Sequence, residues 1–280
     1  MAFVSLASRR LPASVLAMAA LFTVPAPLSA QGDLLIAPTR LVLDGRRRGG
    51  EVTLSNIGSE EATYRVTLEL RRMAPDGELE PVEEADANVT EKAALEMIRY
   101  APRRVVLPPG EPQAIRITAR PGAELPDGEY RVHMAFAAIP KVRPIEPAEN
   151  GEAQDGVAIR LVPIFGITMP IIVRKGEIQV TAALANPRIV QTAQGTDFAI
   201  DISRQGTGSV YGDLLVYPQG RNEPVFVLRG IGVYPEIEAR HSTFDIPGDQ
   251  ATAMRGPVHI ELRESLENGG ALIASTDAVL

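Results

Sequence analysis

The chain has 280 residues, of which 45% are hydrophobic, 22% charged and only 5% aromatic, enough for one large domain or two of ordinary size around a buried core. Lys and Arg number 28 against 35 Asp and Glu, a net charge of −7, so a nucleic-acid partner is not expected. The absence of cysteine removes thiol nucleophiles, thiolate zinc sites and disulfides, and the histidines at 133, 241 and 259 have no metal-ligand spacing; neither an enzyme nor a metal or cofactor is expected.

Arg9 and Arg10 precede the apolar stretch 15–24, which is followed by Pro25, Pro27 and the small pair Ser29-Ala30. This order of basic, apolar and cleavage regions predicts a secretory signal peptide over residues 1–30, cut after Ala30. The apolar run falls short of the roughly 20 residues that span a bilayer. An exported soluble product, not an integral membrane protein, is therefore expected. Loss of Arg9 and Arg10 leaves 26 basic against 35 acidic residues, a net charge of −9.

From Leu34 onward, short alternating runs broken by Gly, Pro, Asp and Asn predict an all-β chain. The run 41–43 ends at Asp44-Gly45, and 51–55 ends at Asn56-Ile57-Gly58. In 64–70 the apolar residues stand two apart, and Ala74-Pro75-Asp76-Gly77 supplies turn chemistry. Residues 83–95 are acidic and alanine-containing, which predicts a loop with a short helix. Strand pattern resumes at 103–107, at 113–119 and, after Pro126-Asp127-Gly128, over the long run 130–140. Residues 141–156 are polar and aperiodic, predicting a mobile loop.

Residues 157–173 are the most informative stretch. Every odd position is apolar, from Val157 to Val173, and the even positions add Val162, Ile164 and Ile172 beside Arg160 and Thr168. One core face does not need so many apolar residues. Pro163 and Pro170 fit an edge or bulged strand, and an apolar edge aggregates unless something pairs with it. Pairing is itself a mode of recognition; burial of both faces by a second domain is the alternative reading. A bulge at either proline would turn later side chains over, so Val162 with Ile164, Leu161 with Phe165, and Thr168 are all candidate partner-binding residues.

Arg174-Lys175-Gly176 breaks this pattern, and further strands are predicted at 177–184, 197–204, 210–217, 224–231, 236–240 and 257–263, with a weak run at 271–274. Two domains, 31–175 and 176–280, fit the length.

Several motifs in order now resemble the periplasmic pilus-assembly chaperones, a family of two immunoglobulin-like domains in an L shape. They are Ile36-Ala37-Pro38-Thr39-Arg40-Leu41-Val42-Leu43, Gly50-Glu51-Val52-Thr53-Leu54-Ser55-Asn56, the run 100–110 from Tyr100-Ala101-Pro102 to Pro108-Pro109-Gly110, Gln113-Ala114-Ile115-Arg116-Ile117, and the run 128–136 from Gly128-Glu129-Tyr130 to Phe136. The resemblance covers most of 34–175; the second half resembles the family only in length and strand content.

The resemblance implies that an Arg on the first strand and a Lys on the last strand of the first domain anchor the client's C-terminal carboxylate. Arg40 stands where that Arg is expected. No Lys occupies the neighbourhood of Thr168, Met169 or Pro170, and the nearest cation is Arg174, so Arg40 and Arg174 are the candidate anchors. The loop 141–156 and strand 157–173 correspond to the segment through which the family lends a strand.

Without the resemblance, Arg40 in an apolar strand reads either as a bidentate carboxylate holder or as a surface partner of Asp44, worth little. Arg46-Arg47-Arg48 reads as a solvated turn, with contact to anionic lipid as the other reading. His133 reads as a packed or surface strand residue rather than a base. The leading expectation is a periplasmic chaperone that lends an edge strand to pilin-like secreted subunits and delivers them to an outer-membrane usher-type pore. The alternative is an exported structural or adhesive sandwich, a surface subunit or glycan-binding module; the lack of Trp weakens glycan binding.

Overall fold

Residues 34–141 and 166–280 are described by the computed structural model. The expected signal peptide, nearly all of the 141–156 loop, and Leu161, Val162, Ile164 and Phe165 lie outside these residues.

The period-two runs fold as strands whose alternate side chains meet in a core. In β1 (Leu34–Ala37), β3 (Gly49–Asn56), β8 (Pro112–Ala119) and β6 (Ile98–Ala101) they form one antiparallel sheet in the order β1-β3-β8-β6. Facing it is a second sheet, β2-β10-β9-β4-β5, built from β2 (Leu41–Leu43), β10 (Gly166–Lys175), β9 (Gly128–Ile139), β4 (Ala62–Met73) and β5 (Leu79–Val82), with β7 (Arg104–Leu107) pairing to β4. Along β8, Ile115 and Ile117 are buried while Arg116 and Thr118 face solvent. Leu43, Leu54, Ile115, Met134, Phe136 and Ile171 have no exposed surface, each such burial contributing about 1.5–3 kcal/mol.

This strand order is that of an immunoglobulin-like sandwich, and a local signature accompanies it. Near the start of β9, the Tyr130 hydroxyl donates to the Pro126 carbonyl at 2.7 Å, tying the strand to the turn before it. Between β5 and β6 the predicted helix forms as α1 (Val89–Met97), its first turn closed by Asn88 and Glu91 as a reciprocal capping box.

A second sandwich contains β11 (Val180–Gln191), β12 (Thr196–Gly206) and β15 (Ala239–Ile246) in one sheet, and β13 (Val210–Pro218), β14 (Phe226–Val233), β16 (Pro257–Arg263) and β17 (Leu272–Val279) in the other, ordered β14-β13-β16-β17. A one-turn helix, α2 (Gly248–Ala253), follows β15. Its separate core gathers Phe198, Ile200, Leu214, Val216, Ile260 and Leu262.

Three strands here run well past their predicted ends, for local reasons. β11 continues past 184 because a register shift between Ala185 and Arg188, with Asn186 at φ 51°, absorbs Asn186-Pro187 as a bulge. β15 runs on to Ile246 although the inward position 242 is a buried serine. β17 spans eight residues, not 271–274; the small or polar Ala274, Thr276 and Ala278 on its more buried side give little apolar signal.

β10 corrects two expectations. It pairs with β9 continuously from Gly166 opposite Ala137 to Lys175 opposite Gly128, so no bulge forms at Pro170, and Met169, Ile171 and Val173 all enter the first core. Ile172, expected to be surplus on the opposite face, is fully buried. It packs with Met73 and with Tyr234 of the second sandwich, flanked by Val42, Leu79 and Ile237. On its other edge β10 meets β2, in parallel, only over Ile171–Val173. Over Gly166–Pro170 that edge has no partner strand among the described residues.

Candidate functional site

Between β1 and β2 the chain crosses from one sheet of the first sandwich to the other, and Arg40 sits at this crossing. It does not pair with Asp44, whose Oδ1 instead accepts the backbone N–H groups of Arg46 at 2.8 Å and Arg47 at 2.7 Å, closing the Arg46-Arg47-Arg48 turn. The Arg40 side chain turns toward the second sandwich. Its Nη2 donates to Ser209 Oγ at 3.1 Å, and the guanidinium lies over the Tyr211 ring, 4.1 Å from the centroid. Its Nε is buried and finds no hydrogen-bond partner among the described residues.

Arg174, near the end of β10, stands opposite Glu129 at the start of β9. Its Nε donates to Glu129 Oε2 at 3.2 Å, and the Glu129 side chain has no exposed surface. The same oxygen accepts the Ser209 backbone N–H at 3.1 Å and the Ser209 hydroxyl at 3.0 Å. Arg40 and Arg174 are thus brought together through Ser209 and Glu129. Only Arg174 pairs directly with Glu129; Arg40 reaches that carboxylate through the Ser209 hydroxyl, so among the described residues Arg40 has no carboxylate partner of its own. Burial lowers the Arg40 pKa, and Arg174 adds to the lowering, against the opposing influence of Tyr234 and Glu129. A second carboxylate is the ligand that would relieve this imbalance.

Neighbouring groups hold this arrangement in place. Arg204 donates to the carbonyls of Gly206 and Gly208, each at 2.8 Å, and to those of Pro235 and Ile237 at 3.1 and 3.2 Å, fixing the turn that presents Ser209. At Gly206, φ is 109° and an added Cβ would sit 2.0 Å from the Gln179 carbonyl oxygen, so the turn requires glycine. Arg131 lies over the Tyr234 ring at 3.6 Å and pairs with Glu236, which also accepts the Met73 N–H at 2.8 Å. Lys175 is occupied at the preceding turn by the Leu125 carbonyl and Asp127.

Thr168 lies on the same face of β10 as Ile172, half-buried and opposite Ala135, beside the edge that has no partner strand among the described residues. Sequence reasoning did not single out Ser209, Tyr211 or Glu129. The acid after Pro126-Asp127-Gly128 reads as part of a turn, and no local signal joins Ser209 to Arg40, 169 positions earlier.

On this face His133 is also buried, and neither ring nitrogen finds a hydrogen-bond partner. Burial first, then Arg131 and Arg71, hold its pKa down to about 3. Below pH ~6.5 the unfolded chain binds a proton that the folded chain refuses, so stability falls as pH drops from about 6.5 toward 3, by up to roughly 1.4 kcal/mol per unit. Melting temperatures between pH 6.5 and 5, above the usual carboxylate range, should decline in the wild type and flatten in His133→Leu. Parallel profiles would show that His133 protonates freely in the fold.

Among the described residues, no cluster of His, Asp and Glu could hold a metal ion, and no helix is long and apolar enough to cross a membrane. No protein-family model matches the chain, and no curated protein matches it. Solved structures do resemble it. The CupB2 chaperone of Pseudomonas aeruginosa is 14% identical, with 88% of this chain and 100% of that one covered at a TM-score of 0.44. The YadV chaperone is 12% identical over 89% and 100%, TM-score 0.44. A chain of the CsuC–CsuE chaperone–tip adhesion subunit pre-assembly complex, from archaic chaperone-usher Csu pili of Acinetobacter baumannii, is 12% identical over 88% and 97%, TM-score 0.43.

Proposed function

We propose that this chain is an exported chaperone of the Gram-negative periplasm that binds pilin-like secreted subunits, lends them an edge strand and delivers them to an outer-membrane usher-type pore. The observation that carries the proposal is Arg40. A cation set between two sandwiches, short of negative charge and with an unused donor, is suited to a client's terminal carboxylate. The ordered motifs of the first half support the same reading.

In this reading Arg40 anchors the carboxylate directly, and Arg174 contributes the second positive charge while tethered to Glu129. From that anchor the client strand runs along the edge of Gly166–Pro170 that lacks a partner strand among the described residues, past Thr168, and Leu161, Val162, Ile164 and Phe165 are the further candidate pairing residues. Main-chain hydrogen bonds to the edge hold it, and side chains of alternate residues set its register. No nucleotide is required, since the client's own folding supplies the free energy.

Hydrogen–deuterium exchange on the free protein and on the complex isolated from periplasm tests this pairing. Those amides of Gly166–Met169 that point away from β9 should slow by about two orders of magnitude on client binding. Unchanged exchange there, with protection elsewhere, would show that the client binds another surface.

A further inference from the structure

Arg40 belongs to the first sandwich, yet both of its described side-chain contacts, Ser209 and Tyr211, come from the second. Ser209 is buried and its hydroxyl has two duties, accepting from Arg40 Nη2 and donating to Glu129 Oε2. Tyr211, the second residue of β13, stands directly opposite Gly232 of β14. Its ring lies against glycine on that strand: a Cβ added at Gly232 would contact Tyr211 Cδ2 at 3.6 Å, and one at Gly230 would come within 3.0 Å of the Tyr211 hydroxyl. The glycines leave room for the ring, and the ring gives the guanidinium a flat face on which to rest.

We propose that Ser209 and Tyr211 are positioning residues for carboxylate recognition, so that the client's terminal carboxylate is read by a site to which both sandwiches contribute. This rests on the carboxylate-anchor reading of Arg40. A long Arg side chain free in solvent samples many rotamers and meets a carboxylate in few of them. Held by a hydroxyl at one nitrogen and an aromatic face beneath, the guanidinium is preorganised, and the cost of ordering it falls before the client arrives. The second sandwich is then part of the recognition site rather than a spacer.

The test compares a synthetic alternating Thr-Val peptide bearing a free C-terminal carboxylate with the same peptide amidated, using the full exported chain. Binding is read by calorimetry and by the Arg40 Nε–H resonance of ¹⁵N-labelled protein. Wild type should prefer the carboxylate form and shift the Nε–H signal with it. Ser209→Ala and Tyr211→Leu should each reduce that preference by about tenfold, the worth of one lost hydrogen bond or cation–π contact. Affinity for the amide should hold, and Tyr211→Phe, which keeps the ring, should retain the wild-type preference. Discrimination that survives in Ser209→Ala and Tyr211→Leu overturns the positioning role while leaving the anchor intact. A wild type that binds both forms equally, or neither, overturns the anchor and the positioning role together. If Tyr211→Leu fails to fold, Ser209→Ala decides.

Discussion

Ile172→Lys should destabilise the protein by about 3–5 kcal/mol, the usual cost of a buried charge without a partner, against a typical total of roughly 5–15 kcal/mol. Ile172 is fully buried against Met73 and Tyr234, and its neighbour across the sheet is Arg131. A new ammonium there would meet a guanidinium and apolar surface. Arg131 already has Glu236 as its counter-ion, so no carboxylate is left over for the newcomer. Ile172→Ala, which removes volume alone, should cost about 2–4 kcal/mol. By contrast, Thr168→Lys on the same face, half-buried, should stay within about 1 kcal/mol. Urea denaturation of the three variants measures these differences. A wild-type midpoint for Ile172→Lys would mean that the second sandwich does not cover this face.

That contrast shows where the sequence was informative. Alternation at 113–119 places Ile115 and Ile117 inward and Arg116 outward because a strand's two faces are set by position alone. Pro170, which has no N–H to donate, pointed to an incomplete ladder in this stretch, and among the described residues β10 meets β2 on its second edge only over Ile171–Val173. Neither signal revealed that Ile172 is covered, because Tyr234 reaches it from a different sandwich and no local pattern encodes that contact. β17 was underestimated for a related reason: Ala274, Thr276 and Ala278 occupy inward positions with little apolar bulk.

The candidate site divides in the same way. Arg40 was recognisable as an unusual cation in an apolar strand, and the resemblance of the surrounding residues to a known motif gave it a role. Its surroundings were not readable. Glu129 looks like turn chemistry until the register sets it opposite Arg174, and Ser209 looks like a linker residue until Arg204 draws the Gly206 and Gly208 carbonyls around it. Tyr130 likewise passes as an ordinary strand tyrosine until its hydroxyl is seen to close on Pro126. In each case the missing information is a contact distant in sequence and made by a polar atom, which hydrophobic periodicity does not register.

The central claim is that a client is captured through its terminal carboxylate at Arg40, and recovery of that client from periplasm tests it most directly. Arg40→Ala removes the guanidinium yet keeps the pairing of Glu129 with Arg174 and with the Ser209 hydroxyl and backbone, so the fold should survive with a melting temperature close to that of the wild type. A client carboxylate would lose charge-assisted hydrogen bonds worth about 1.5–3 kcal/mol each, and two such bonds correspond to a fall in affinity of roughly a hundredfold or more. Wild-type protein purified from periplasm under native conditions should carry an exported β-rich subunit in one-to-one ratio, identifiable by mass spectrometry, while folded Arg40→Ala should carry almost none. Equal recovery of that subunit by wild type and by folded Arg40→Ala would contradict the account.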